Sequence, residues 1–254
     1  MILCSILSID FLAIKFRRMK NSIIKNTAQL LKLAHFDVLF QYKQGFYLVY
    51  AILTAVYLLL LFYLPETVRP EVAAYLILSD TSVLGMVFVG ALVLLEKQQN
   101  VLQSLFITPM KLSTYIFSKA ISLTLIATLV SSAIGFIPGA MLDRCLSMLA
   151  SVILCSLFFT FLGLGVSSRA NTLNEYFGGI LLAGLVMVVP LALFFIHPVL
   201  SMIFPINAAV TLLITPATQQ TLVSNIAGIS VLICWNIVAY RYAMSQFNKN
   251  IIHK

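Results

Sequence analysis

The groups in this chain that could do chemistry are few and scattered. Its 254 residues include three histidines (His35, His197, His253), four cysteines (Cys4, Cys145, Cys155, Cys234) and eight acids. The histidines are too dispersed to form a ligand cluster, no HExxH occurs, and the cysteines lack metal-ligand spacing. Three of the cysteines fall in or beside apolar runs, where a thiol serves as a small core group, and no disulfide framework is indicated. No glycine is followed by lysine, so there is no phosphate-cradling P-loop. A serine–histidine hydrolase would need a serine poised beside His197 with oxyanion donors, and no nucleophile motif appears. His197, just before Pro198, reads as structural or interfacial. Two polar features remain: Asp80, in LSDTSVLG, and the stretch LLEKQQNVLQSLFITPM at 94–110.

The elements that must position them are membrane spans. Hydrophobic residues make up 61% of the chain and charged residues 9%, with a mean hydropathy of +1.03. Soluble domains carry about a quarter charged residues. The net charge of +8 is not a nucleic-acid patch, because no polar surface exists to carry one; it is a topology signal. Runs without charge extend over 44–65, 72–95 (Asp80 alone excepted), 120–142 and 145–168. Each can cross ~30 Å of hydrocarbon once as helix.

A fifth run, 176–240, would stretch about 98 Å as helix, enough for three crossings or for two crossings and an excursion. The positive-inside rule arbitrates. With two crossings and an inner N-terminus, all but Arg69 and Arg144 of the 16 basic residues lie inside; a third crossing would move Arg241, Lys249 and Lys254 out. The expected fold is therefore all-α and polytopic, with six transmembrane helices and both termini cytoplasmic. Residues 194–217, broken by Pro198, Pro205 and Pro216, become an outer re-entrant segment between spans five and six. Such backbone is tolerated only where protein or a water-filled cavity covers it.

Ahead of the first span, Ala28–Lys43 places Leu31, Ala34, His35, Val38 and Tyr42 on one helical face, which predicts a helix lying in the interface. The resulting organisation is an N-terminal extension at 1–18 (with Met19 an alternative start), a cytoplasmic interfacial helix at 19–44, a six-span domain at 45–242 and a cytoplasmic tail at 243–254. Asp80 falls within span two. An acid at mid-membrane costs about 2.5–3.5 kcal/mol, so it should face the bundle or a cavity rather than lipid. It lines a pathway, or Thr81 and Ser82 satisfy it locally.

In 94–110, Val101, Leu102, Leu105 and Phe106 recur at helical spacing while Lys97, Gln98, Asn100 and Gln103 take the other sides. Pro109 disfavours helix at Thr108, and Ser113 or Thr114 can cap span three. This amphipathic helix joins spans two and three on the inner face. It rests in headgroups or serves as a docking surface, since helix-in-groove recognition uses such anchors.

Glu96, Lys97, Leu102, Leu105, Thr108 and Pro109 resemble the loop between spans two and three in permease subunits of ABC-2 type ATP-binding-cassette exporters. The likeness covers about Gln29 to Tyr242, and Leu94–Lys97 with Phe106–Pro109 looks most like the fluoroquinolone or multidrug export branch. Many members carry Gly-Thr-Leu-Glu where this chain has Asn100, Val101, Leu102 and Gln103, a departure that removes a glycine and an acid. The resemblance implies a cytoplasmic ATPase subunit docking on Glu96, Lys97, Val101, Leu102, Leu105, Phe106, Thr108 and Pro109. It implies ATP and Mg on that partner and no cofactor here. It also implies a second permease copy or sister permease, a multi-pass place in the cytoplasmic membrane among lipid, no nucleic acid, and outward transport of an amphipathic drug or lipid-like cargo. Two rival readings share the topology: an ion-coupled secondary transporter using Asp80, and a non-transporting membrane assembly protein.

Overall fold

The computed structural model describes residues 26–102, 110–136, 145–193, 203–215 and 221–252, with backbone alone at 83, 186–193, 222 and 251–252. Every regular element among them is helical, as expected of a chain whose backbone groups must pair internally where no water reaches. In order they are α1 (26–43), α2 (Phe46–Tyr63), α3 (Arg69–Val83), a π-helical turn (Leu84–Phe88), α4 (Val89–Gln98), α5 (Leu112–Phe136), α6 (Cys145–Arg169), α7 (Leu173–Leu193), α8 (Pro205–Ile214) and α9 (Leu222–Phe247), which runs into a second π-helical turn (Asn248–Ile252). The helix α5 begins at Leu112, so Ser113 and Thr114 lie inside it rather than capping it; the Thr114 amide bonds to the Lys111 carbonyl at 2.9 Å.

Five helices among the described residues are long and apolar enough to cross a membrane: Phe46–Tyr63, Arg69–Gln98, Leu112–Phe136, Cys145–Arg169 and Val223–Asn250. Six were expected. The stretch read as the fifth crossing is the 21-residue helix α7, which is not among the five.

Contacts fix the helix directions. Gly85 abuts Phe159 and Thr160, and Gly163 meets Val89, so the α3–α4 rod runs parallel to α6. Asn236 donates to the Leu154 carbonyl at 2.9 Å and Arg169 to Gln246 at 2.8 Å, so α9 also runs parallel to α6. The small residues Gly163, Gly165, Ser151 and Ser156 let α6 approach its neighbours closely, and it packs against α3, α4, α5, α8 and α9 at the centre of the bundle. The outcome is one end that gathers 96–102, 111–119 and 167–175 with the last turns of α9. At the opposite end Arg69 bonds to the Leu61 and Leu64 carbonyls, both at 3.1 Å, and so closes the C-terminus of α2.

The short helix α8 has ten residues, about 15 Å at 1.5 Å per residue and half a hydrocarbon thickness. Pro205 starts it after an extended Phe204, the arrangement a missing N–H favours. Ala208, Ala209, Leu212 and Leu213 are buried, and Ser151 of α6 donates to the Ala209 carbonyl at 3.2 Å. Of the expected re-entrant stretch only 203–215 is described; His197 and the extension at 1–18 lie outside the described residues.

The helix α1 occupies the expected span but presents a different face to the bundle. Leu31, His35 and Tyr42 of the expected stripe are exposed, whereas Ala34 and the polar Asp37 and Gln41 are buried. Gly45, at φ 78°, turns α1 into α2 in a left-handed conformation that glycine adopts without steric cost.

Candidate functional site

At the end where the loops of spans two and three meet, three helices converge on one ammonium. Tyr115 and Lys119 stand four residues apart and so share a face of α5; Asp37 and Gln41 do the same on α1. The Lys119 Nζ pairs with Asp37 Oδ1 at 2.5 Å and with Glu96 Oε1 of α4. The Tyr115 hydroxyl donates to Glu96 Oε2 at 2.7 Å, and its ring lies 5.5 Å from Nζ. Gln41 donates to Ser122 at 3.0 Å. Lys119 is 1% exposed, Asp37 6% and Glu96 7%. Two carboxylates thus share one cation, and the Tyr115 hydroxyl supplies the extra donor. Such a buried set holds only while every member keeps its partner, because a lone buried charge costs several kcal/mol.

Lys97, the next residue, points elsewhere. Its Nζ donates to the carbonyls of Ser167, Ser168 and Ala170 at 2.9, 3.0 and 2.7 Å. These are carbonyls at the C-terminus of α6, left without intrahelical partners and attractive to a cation. Glu96 and Lys97 therefore pin α4 to α1, α5 and α6 at once. Both were read as docking residues; the structure uses their charged groups within the chain. Nor is 94–110 one helix. The helix α4 stops at Gln98, Asn100 takes a left-handed φ of 56°, and helix resumes at Val101. Asparagine is the side chain that best tolerates the conformation glycine would give, so the loss of the glycine common in the resembling permeases leaves the backbone path open. Val101 is partly exposed and Leu102 buried. Gln103, Leu105, Phe106, Thr108 and Pro109 lie outside the described residues.

A groove of about 400 Å³ runs beside this cluster. Leu33, Phe36 and Phe40 of α1 form one wall and Val101 contributes to the other, while Asp37, Glu96 and Tyr115 border it. An apolar cleft lies directly over a charged linkage.

Asp80 is elsewhere, within α3, and 2% exposed. Its Oδ2 has no hydrogen-bond partner among the described residues. Thr81 and Ser82 do not satisfy it: Thr81 donates to the Ile77 and Leu78 carbonyls at 3.0 Å each, and Ser82 to Ser79 at 2.8 Å. The π-helical turn starts four residues later. The Tyr176 hydroxyl of α7 donates to the Met86 carbonyl inside that turn, and the Tyr176 ring fills the space where a Cβ on Gly90 would sit. Sequence reading missed this joint, and also missed Asp37, Gln41, Tyr115 and Lys119 as a cluster. Glu175 closes the start of α7: its carboxylate accepts from the Asn171 amide at 2.9 Å, and the Glu175 amide donates to the Thr172 hydroxyl at 3.3 Å, close to a capping box. Among the described residues no group of three or more metal-binding side chains exists.

Residues 28–254 match the model of the fluoroquinolones export permease protein family. The chain belongs to this family. Two relatives from Mycobacterium tuberculosis, one in strain CDC 1551 / Oshkosh and one in strain ATCC 25618 / H37Rv, are each named a fluoroquinolones export permease protein. Each is 26% identical over 144 residues, a match covering 57% of this chain and 58% of the relative. Family membership and the five apolar helices together make this a multi-pass membrane protein of an export permease family.

Proposed function

We propose that this chain is the membrane subunit of an exporter whose ATP is hydrolysed on a separate cytoplasmic ATP-binding-cassette subunit, and that it moves an amphipathic drug or lipid-like cargo outward. The observation that carries the reading is the Asp37–Lys119–Glu96 cluster, which joins α1, α4 and α5 directly beneath an apolar groove. A partner seated in that groove and on 101–109, with Leu105, Phe106, Thr108 and Pro109 among its contacts, pushes on a joint that cannot open without stranding a buried charge. Its motion therefore reaches spans two and three together, as rigid-body gating requires. ATP and Mg belong to that partner.

In this reading α7 is the fifth of six crossings, α8 dips in from the outer face, α1 lies in the inner interface, and the end holding Lys97, Lys111 and Arg169 faces the cytoplasm. Lipid and a second permease copy, or a sister permease, cover the apolar exposed faces of α2 and α9. The relatives' name makes a fluoroquinolone the first cargo to try.

The test is efflux of a fluoroquinolone from cells expressing this chain with its cognate ATPase. Loss of efflux when the ATPase is made catalytically dead supports the proposal. Efflux that survives that change and collapses with an uncoupler favours the ion-coupled reading, for which the unpartnered Asp80 is the supporting observation. No efflux under any condition, from a folded complex, leaves the assembly-protein reading.

A further inference from the structure

The seam between α2 and α3 carries chemistry that the coupling cluster does not use. Asp80 is buried with one carboxylate oxygen that has no partner among the described residues, and the Tyr50 hydroxyl of the neighbouring α2 is buried and without one too. Asp80 lies within electrostatic reach of both Tyr50 and Tyr57. About two turns further along the seam three rings meet in a row: Tyr50 and Phe88 are tilted with centroids 4.8 Å apart, and Phe88 and Phe46 meet edge to face at 5.1 Å. No basic side chain among the described residues is seen paired with Asp80; the two ion pairs described above join Lys119 to Asp37 and Glu96.

An acid followed by aromatic faces, in a dry environment and with no cation supplied by the chain, is complementary to an organic cation. The carboxylate offers the counter-charge and charge-assisted hydrogen bond, and the ring faces offer cation–π attraction. A bare metal cation fits less well, since such ions want several oxygen ligands and the Thr81 and Ser82 hydroxyls are engaged with their own helix. We infer that the α2–α3 seam is a binding site for a protonated amine, with Asp80 as the counter-charge and Tyr50 and Phe88 as its aromatic walls. This inference rests on the export reading and gives it a substrate class. Entry is from the α2 side. That helix is the least embedded crossing, with 11% of its apolar window buried, and it hangs from the left-handed joint at Gly45.

The experiment uses the full chain in lipid nanodiscs without nucleotide or ATPase. Binding of monodansylcadaverine, which carries a free amine, is compared with binding of its N-acetyl derivative, which keeps the fluorophore and chain but not the charge. The wild type is expected to bind the amine about tenfold more tightly than the acetylated probe. Asp80→Asn should erase that preference by weakening the amine alone, Asp80→Glu should retain it, and Tyr50→Leu should reduce it. Equal affinities in the wild type, absence of amine binding by the folded wild type, or a parallel loss of both probes in a normally melting Asp80→Asn overturns the inference. Should Asp80→Asn fail to fold, the wild-type probe pair and Tyr50→Leu still decide. A negative result here leaves ATP-dependent efflux untouched, and loss of ATP dependence in the efflux assay leaves this site standing.

Discussion

Glu96 and Asp80 lie on the same rod, Arg69–Gln98, and both are buried, yet their surroundings are opposites. Glu96 has both oxygens engaged, one by an ammonium and one by a phenol. Asp80 has an oxygen with no partner among the described residues and neighbours occupied with their own backbone. A buried charge that is fully answered from within the chain works as a fastener. One left unanswered waits for something from outside, or persists at a cost that function must justify. The same residue class therefore carries different meaning sixteen positions apart, roughly four to five turns of helix.

The largest way to break this comparison is Lys119→Met. It strands two carboxylates, Asp37 and Glu96, and should cost about 3–5 kcal/mol, read as a fall in denaturant or thermal midpoint of the purified chain. Replacing Asp37, Glu96 and Lys119 together by apolar residues of similar size should recover most of that loss, because an apolar set no longer leaves a charge unpaired. Next comes Gly90→Ala, whose Cβ would overlap the Tyr176 ring; about 1–3 kcal/mol of overpacking is expected. Gly178→Ala on α7 is its control, with nothing within 4 Å of the added Cβ, and should melt no lower than the wild type. Tyr176→Phe, which removes the donor to Met86, should cost about 1 kcal/mol. The smallest effect belongs to Asp80→Asn, expected to leave the melting midpoint unchanged or higher, whereas Glu96→Gln lowers it. A matching fall at both positions would erase the distinction.

Much of the architecture was legible from residues alone. The all-helical, multi-span character and the burial of Asp80 follow from long charge-free runs and the energetics of hydrocarbon burial. The cluster was not legible, and the reason is physical. Lys119 stands at the mouth of an apolar run, where a lysine ordinarily marks a membrane boundary and snorkels to water. Its partners are 82 and 23 residues away, and nothing local in the sequence distinguishes a paired lysine from a solvated one. The stripe on α1 misled for a related reason. Periodicity located an apolar face, but α1 docks through Ala34, Asp37 and Gln41, and the partners of the two polar residues, Lys119 and Ser122, lie on a distant helix that local periodicity does not report. The π-helical turn is likewise a tertiary product: its freed carbonyl at Met86 is answered by Tyr176, a residue on another helix. Asn100 shows the reverse case, where the chain departs from the glycine pattern of the resemblance with a residue that tolerates the left-handed φ of 56° found there.

The central claim is that the groove beside the Asp37–Lys119–Glu96 cluster is the seat of a cytoplasmic ATPase. The most direct measurement is site-specific cross-linking to the cognate ATPase in a cysteine-free version of the chain, with a single cysteine placed at Val101, at Phe36, or at Val223 of the opposite end. The account predicts cross-links from Val101→Cys and Phe36→Cys whose yield changes with nucleotide, and none from Val223→Cys. A cross-link from Val223→Cys, or none from the two groove positions in a complex that forms, would contradict it.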